Sequence, residues 1–142
     1  MSRSIVLAVD IEANPRAIFD ALTTTDGLAA FWTPRVDGDA HAGGLLHFGF
    51  EAAPVDLEVS VALADRDTHT VQWECNGPWP YWTGTSIEWS TVDAGPRLLF
   101  AQSGWTEEQP DAEFGSVAYT WALVLQALKA YSESGIVAPA LS

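Results

Sequence analysis

Positive charge is scarce in this sequence: six lysines and arginines stand against 19 aspartates and glutamates, a formal net charge of −13 over 142 residues. Phosphate backbones and anionic leaflets repel such a chain, and no basic cluster reverses the sign locally. Nucleic acid and membrane surfaces are therefore not expected partners. The acids are scattered rather than blocked, so they read as solubility before they read as a docking site for a cationic partner.

Cysteine occurs once, at Cys75, which excludes an intrachain disulfide. The three histidines, His41, His47 and His69, lack ligand-like spacing, and no metal site is expected. No apolar run reaches the ~18 residues that span a bilayer. The stretch from Ile5 to Val9 is too short for a secretory signal, so a cytoplasmic setting is the expectation. Also missing are a Gly-Xaa-Ser-Xaa-Gly elbow, a phosphate-binding glycine loop and a His-Glu-Xaa-Xaa-His helix. His47 alternates away from Phe48 towards solvent, and Glu74 and Glu88 fall on the wet faces of neighbouring strands, where they could repel. Cys75 shares a face with Trp73, which suits a buried, inert thiol. No catalytic residue and no cofactor is expected from these pieces.

What is present is hydrophobic: 48% apolar residues against 18% charged ones describe a folded chain, read as one domain over residues 1–142. Ile5 to Ile11 suits a first strand, and Asn14-Pro15 reads as an N-cap followed by proline at the first helical position. The short helix that follows places Ile18, Phe19 and Leu22 on one side. Thr25-Asp26-Gly27 interrupts it, and Leu28 to Trp32 makes a second short helix. Strands follow at Leu45–Glu51, Asp56–Leu63, Thr70–Cys75, Thr85–Val92 and Leu98–Ser103, with Ala94-Gly95-Pro96 turning the chain into the last. Leu57, Val59, Val61 and Leu63 alternate with polar residues, as do Val71, Trp73 and Cys75, and then Ile87 and Trp89. Such alternation means antiparallel strands with one buried face.

The chain finishes on a long amphipathic segment, Asp111 to Ser134, with Phe114, Val117, Ala118, Trp121, Leu125, Leu128 and Tyr131 on one face. A helix of that length runs about 34 Å, and only the sheet offers an equally long partner. The reading is α+β: a helix-grip fold, with a curved antiparallel sheet wrapped around a long C-terminal helix and two short helices after strand 1.

Seven tryptophans are a heavy load for this length. Trp32, Trp73, Trp89, Trp105 and Trp121 sit where all five can converge, either as a solid core or as a lined cavity. Gly77 to Gly84 is a connecting loop carrying Trp79, Tyr81 and Trp82, read as a lid over a pocket mouth, as an interface to a second subunit, or as local core.

In order along the chain, Ala13–Thr23 with Leu28–Trp32, Gly43–Phe48, Val71–Cys75, Gly84–Trp89, Ser103-Gly104-Trp105 and Trp121–Tyr131 resemble START-like (SRPBCC) domains. Within that superfamily they are most similar to the bacterial homologues of the activator of the 90-kDa heat-shock protein ATPase. The resemblance implies a deep apolar cavity between sheet and C-terminal helix. Its ligand-binding candidates here are Trp32, Phe48, Phe50, Trp73, Trp89, Phe100, Trp105 and Trp121. Relatives often carry a histidine where this chain has Gln102. The eukaryotic activators' separate chaperone-binding domain finds no room in 1–142, so the resemblance implies the fold rather than the co-chaperone activity.

The expected function is binding of a small apolar or aromatic molecule, as carrier or sensor, with Gln102 or Tyr119 orienting it and Trp121 touching it without being needed for folding. A cyclase or hydrolase using the same cavity, and a stress-response or co-chaperone-like interaction module, are the alternatives. A homodimer through the aromatic loop stays open.

Overall fold

The computed structural model describes residues 2–91 and 96–142. In chain order the elements are β1 (Ser2–Asp10), α1 (Pro15–Leu22), α2 (Thr25–Phe31), β2 (Arg35–Gly38), β3 (Leu45–Gly49), β4 (Leu57–Asp65), β5 (Thr70–Gly77), β6 (Ser86–Thr91), β7 (Arg97–Thr106) and α3 (Asp111–Ser134). The strands form one antiparallel seven-stranded sheet in the order β1-β7-β6-β5-β4-β3-β2. β1 and β2 are its two edges, so α1 and α2 carry the chain from one edge to the other. Neighbouring strands then lead back until β7 closes beside β1. The sheet curves around α3, the α+β helix-grip architecture that the alternation implies.

Local chemistry explains the helix boundaries. The Asn14 side chain accepts from the Arg16 N–H at 2.9 Å and Pro15 opens α1. α2 begins earlier than expected, because Thr24 caps it by accepting from the Gly27 N–H at 3.0 Å. Gly27 is thus a helical residue and not an interruption. A Cβ there would collide with the Ala21 carbonyl and lie 2.6 Å from the Ala21 Cα. Glycine is needed for the close approach of two helices, not for a turn. At the far end of the chain, Gly135 ends α3 in the left-handed conformation, φ 69°.

The strand readings hold with three differences. β2 was not anticipated: of Arg35, Val36, Asp37 and Gly38 only Val36 is apolar and packs on the core, as suits a short edge strand. In β4 the register shifts between Val61 and Leu63, so the alternation breaks there. Ala64 rather than Leu63 packs against the core. β7 runs on to Thr106 through a second irregularity, where Arg3 pairs with Trp105 and Ser4 with Ser103, leaving Gly104 (φ 91°) between them. That extra residue turns Trp105 inward, fully buried. The expected residues Val92, Ala94 and Gly95 lie outside the described residues.

On the outer face, Glu74 and Glu88 are not opposed. Glu74 pairs with Ser86 and accepts from its hydroxyl at 2.6 Å, and Glu88 pairs with Gln72 and accepts from its amide at 2.8 Å. His47 lies 3.0 Å from the Glu58 carboxylate, whose pKa is held below the usual range by hydrogen bonds from Asn76 and His47. After α3 the chain turns back. The Ala140 and Leu141 N–H groups donate to the carbonyls of Phe31 and Trp32, each at 2.9 Å, and the Glu51 N–H donates to the Ser142 carbonyl at 2.6 Å.

Candidate functional site

Large rings dominate the inner face of the sheet, and they lie against one another. Trp73 lies 5.6 Å from Phe48 and from Trp89, and Phe100 lies 4.8 Å from Trp89 and 4.5 Å from Trp121. Trp89 meets Phe31, Trp73, Phe100 and Trp121 edge to face, the arrangement that places ring edges against electron-rich faces. Phe48, Trp73, Trp89, Phe100 and Trp105 have no exposed surface. Of the eight expected ligand-contacting residues, these five are buried beneath the cleft and do not line it.

The space itself lies to one side, against α3. A cleft of about 450 Å³ is bounded by Trp32, Phe50 and Trp121 of the expected set, by Trp79 and Trp82 of the aromatic loop, and by Val117 and Thr120 of α3. Its remaining walls are Glu51, Ala52 and Ala53 after β3, and Ala140, Leu141 and Ser142 of the returning tail. The tail was invisible to periodicity, because it is held by main-chain hydrogen bonds that no side-chain pattern announces. In the aromatic loop, the Trp79 indole donates to the Val55 carbonyl at 3.0 Å, fixing the ring as a wall. Trp82 leans on Trp105 and Trp121 at 5.4 and 6.0 Å. Tyr81 alone points outward, with a left-handed φ of 68°.

Comparison with known proteins follows the same outline. Residues 12–133 match the model of the family described as activator of Hsp90 ATPase homolog 1-like protein. The chain belongs to this family. The solution structure of the Aha1 dimer from Colwellia psychrerythraea superposes with a TM-score of 0.81 at 30% identity, covering 94% of this chain and 98% of that one. A Mesorhizobium loti protein gives 0.74 at 17% identity over 89% and 94% of the two chains. The major latex-like protein 151 of Panax ginseng gives 0.72 at 8% over 93% and 98%. These last two likenesses are of fold alone. No curated protein matches the sequence significantly.

In this member of the Hsp90-ATPase-activator-like family, Gln102 is a structural strut rather than a ligand-orienting group. Its side-chain oxygen accepts from the Trp121 indole at 2.8 Å, and its amide donates to the Thr85 hydroxyl at 3.0 Å. That hydroxyl in turn donates to the Trp82 carbonyl at 2.7 Å. The chain of bonds ties α3, the sheet and the aromatic loop together beneath the cleft. Tyr119, the other expected orienting group, points to solvent at 68% exposure. Thr120, one residue on, is the polar group that α3 gives to the cleft. Cys75 is buried, and burial pushes its thiol up to about 11, so it stays protonated and unreactive at neutral pH.

Proposed function

We propose that the protein binds a small apolar or aromatic molecule in the cleft between the sheet and α3, as a carrier or sensor. The observation that carries this reading is an aromatic-walled cleft of about 450 Å³ resting on a floor of fully buried rings. Clefts of roughly 300–1,000 Å³ with apolar walls and few polar groups are the usual form of small-molecule sites. Binding without turnover is favoured because, among the described residues, Glu51 is the one ionisable side chain in the cleft's walls, which gives a cyclase or hydrolase no acid–base pair there. The co-chaperone-like alternative has no observation of this chain to carry it. The working unit is residues 1–142 in a cytoplasmic setting, where Cys75 remains a thiol.

The neutral fluorophore N-phenyl-1-naphthylamine is the first probe. It should bind saturably at one site, and Thr120→Trp, which fills the cleft from a half-buried position, should weaken binding by about tenfold or more at unchanged melting temperature. Equal affinity in the variant would remove the cleft as the site.

Self-association is the second reading, carried by the dimeric Colwellia relative at 30% identity. Outward-facing Tyr81 offers the aromatic loop as the contact. Light scattering after size exclusion should give a dimer mass, reduced to a monomer by Tyr81→Asp. A wild-type monomer across the micromolar range would end this reading.

A further inference from the structure

We propose that the cleft selects a hydrophobic organic cation: an apolar or aromatic body carrying a protonated amine or quaternary ammonium group. The inference rests on the ligand-binding reading above and gives that ligand its charge. It starts from the way five rings in the cleft wall close on one another. Trp32 lies 5.7 Å from Phe50, Phe50 5.2 Å from Trp79, and Trp79 5.2 Å from Trp82. Trp82 lies 6.0 Å from Trp121, which returns to Trp32 at 5.0 Å. All five line the cleft, so a collar of mutually touching aromatic side chains forms much of its wall. Tryptophan has the most electron-rich face of the natural side chains, and collars of this kind attract soft, weakly hydrated cations.

Charge supplies the second, independent argument. Among the described residues Glu51 is the one charged side chain lining the cleft, and its hydrogen-bond partner there is a hydroxyl, Ser142 at 3.4 Å. Among the same residues no lysine, arginine or histidine lines it. Four of the six basic residues are engaged elsewhere: Arg3 with Asp111, Arg66 with Asp20, Arg97 with Asp10 and Lys129 with Glu133. A fatty carboxylate or a phenolate would enter with no counter-charge and face both Glu51 and a net charge of −13. A cation meets ring faces along its path and a carboxylate at the rim.

A matched series tests this: 4-phenylbutylamine, 4-phenylbutanol and 4-phenylbutyrate share one apolar body and differ in charge. Calorimetric titration at 150 mM salt should show the amine binding about tenfold more tightly than the alcohol, and the carboxylate most weakly. Glu51→Gln should reduce the amine's advantage over the alcohol to about threefold or less, and Trp79→Leu should weaken the amine more than the alcohol. Equal affinities for the three, with N-phenyl-1-naphthylamine still bound, would overturn the cation and leave the cleft. An amine preference that persists undiminished in Glu51→Gln would overturn it too, because general surface charge would then be the cause. If none of the three binds and the naphthylamine does not either, the cation and the cleft reading fall together.

Discussion

Trp121→Ala should strip this protein of a large part of its stability. The indole is 2% exposed and touches Trp32, Trp82, Trp89 and Phe100 at centroid distances of 5.0, 6.0, 5.7 and 4.5 Å. Truncating a buried tryptophan costs about 3–5 kcal/mol in lost transfer energy and residual cavity. The Gln102 side-chain oxygen would also lose its donor while remaining buried, which adds about 1–3 kcal/mol. Domains of this size hold about 5–15 kcal/mol in total, so the variant should unfold at a far lower urea concentration than the wild type. Trp121→Phe keeps a ring but loses the N–H and part of the indole's volume, and its expected cost is smaller, about 2–4 kcal/mol. An alanine variant with a wild-type urea midpoint would refute the claim that the Trp32–Trp82–Trp89–Phe100 contacts hold α3 on the sheet. The sequence alone suggested that Trp121 could be removed with loss of binding only. The structure argues against that separation, because Trp121 both lines the cleft and donates its indole N–H to Gln102.

Gly27→Ala separates two effects of opposite sign. Inside a helix, alanine is favoured over glycine by about 1 kcal/mol, so propensity alone predicts a more stable protein. Here the new Cβ would sit against main-chain atoms, 2.6 Å from the Ala21 Cα and 2.8 Å from its carbonyl carbon. Backbone cannot rotate away as a side-chain tip can, so α1 and α2 must separate. Overpacking of this kind costs about 1–3 kcal/mol and sometimes more, which wins over propensity. A fall in melting temperature of several degrees is the expected result, at about 2–8 °C per kcal/mol for chains near this size. Because Trp32 follows directly on α2, the same variant should bind N-phenyl-1-naphthylamine more weakly. A rise in melting temperature would show that the two helices are not held at contact distance.

Much of this architecture was legible before any coordinates, because burial imposes periods. Val71, Trp73 and Cys75, and then Ile87 and Trp89, announce inward faces at a spacing of two, and α3 announces itself at a spacing near 3.6. What escaped had no period to show. β2 has one apolar residue to bury, and the tail is held through its N–H and carbonyl groups. The bulge in β4 moves the core position from Leu63 to Ala64, which composition cannot signal. Gly27 was misread because glycine serves both turns and close approaches, and only the distance to Ala21 separates the two. For the cleft, sequence identified the right residue type but could not divide the rings into floor and wall. Trp73 and Trp121 look alike in a string of letters, yet only one of them borders open space.

Part of the cleft's wall carries little of the fold. Glu51 and Ala52 just beyond β3, and Ser142 in the returning tail, are exposed, whereas Ala53, Trp79, Trp82, Val117, Ala140 and Leu141 pack against the core. Surface substitutions away from such a core usually change stability by no more than about 0.5 kcal/mol. Descendants of such a sequence can therefore tune their guest by drifting at the exposed wall positions while Trp73, Trp89, Phe100 and Gln102 stay unaltered. The packed wall residues, Trp32, Phe50 and Trp121 above all, must answer both to the scaffold and to the ligand.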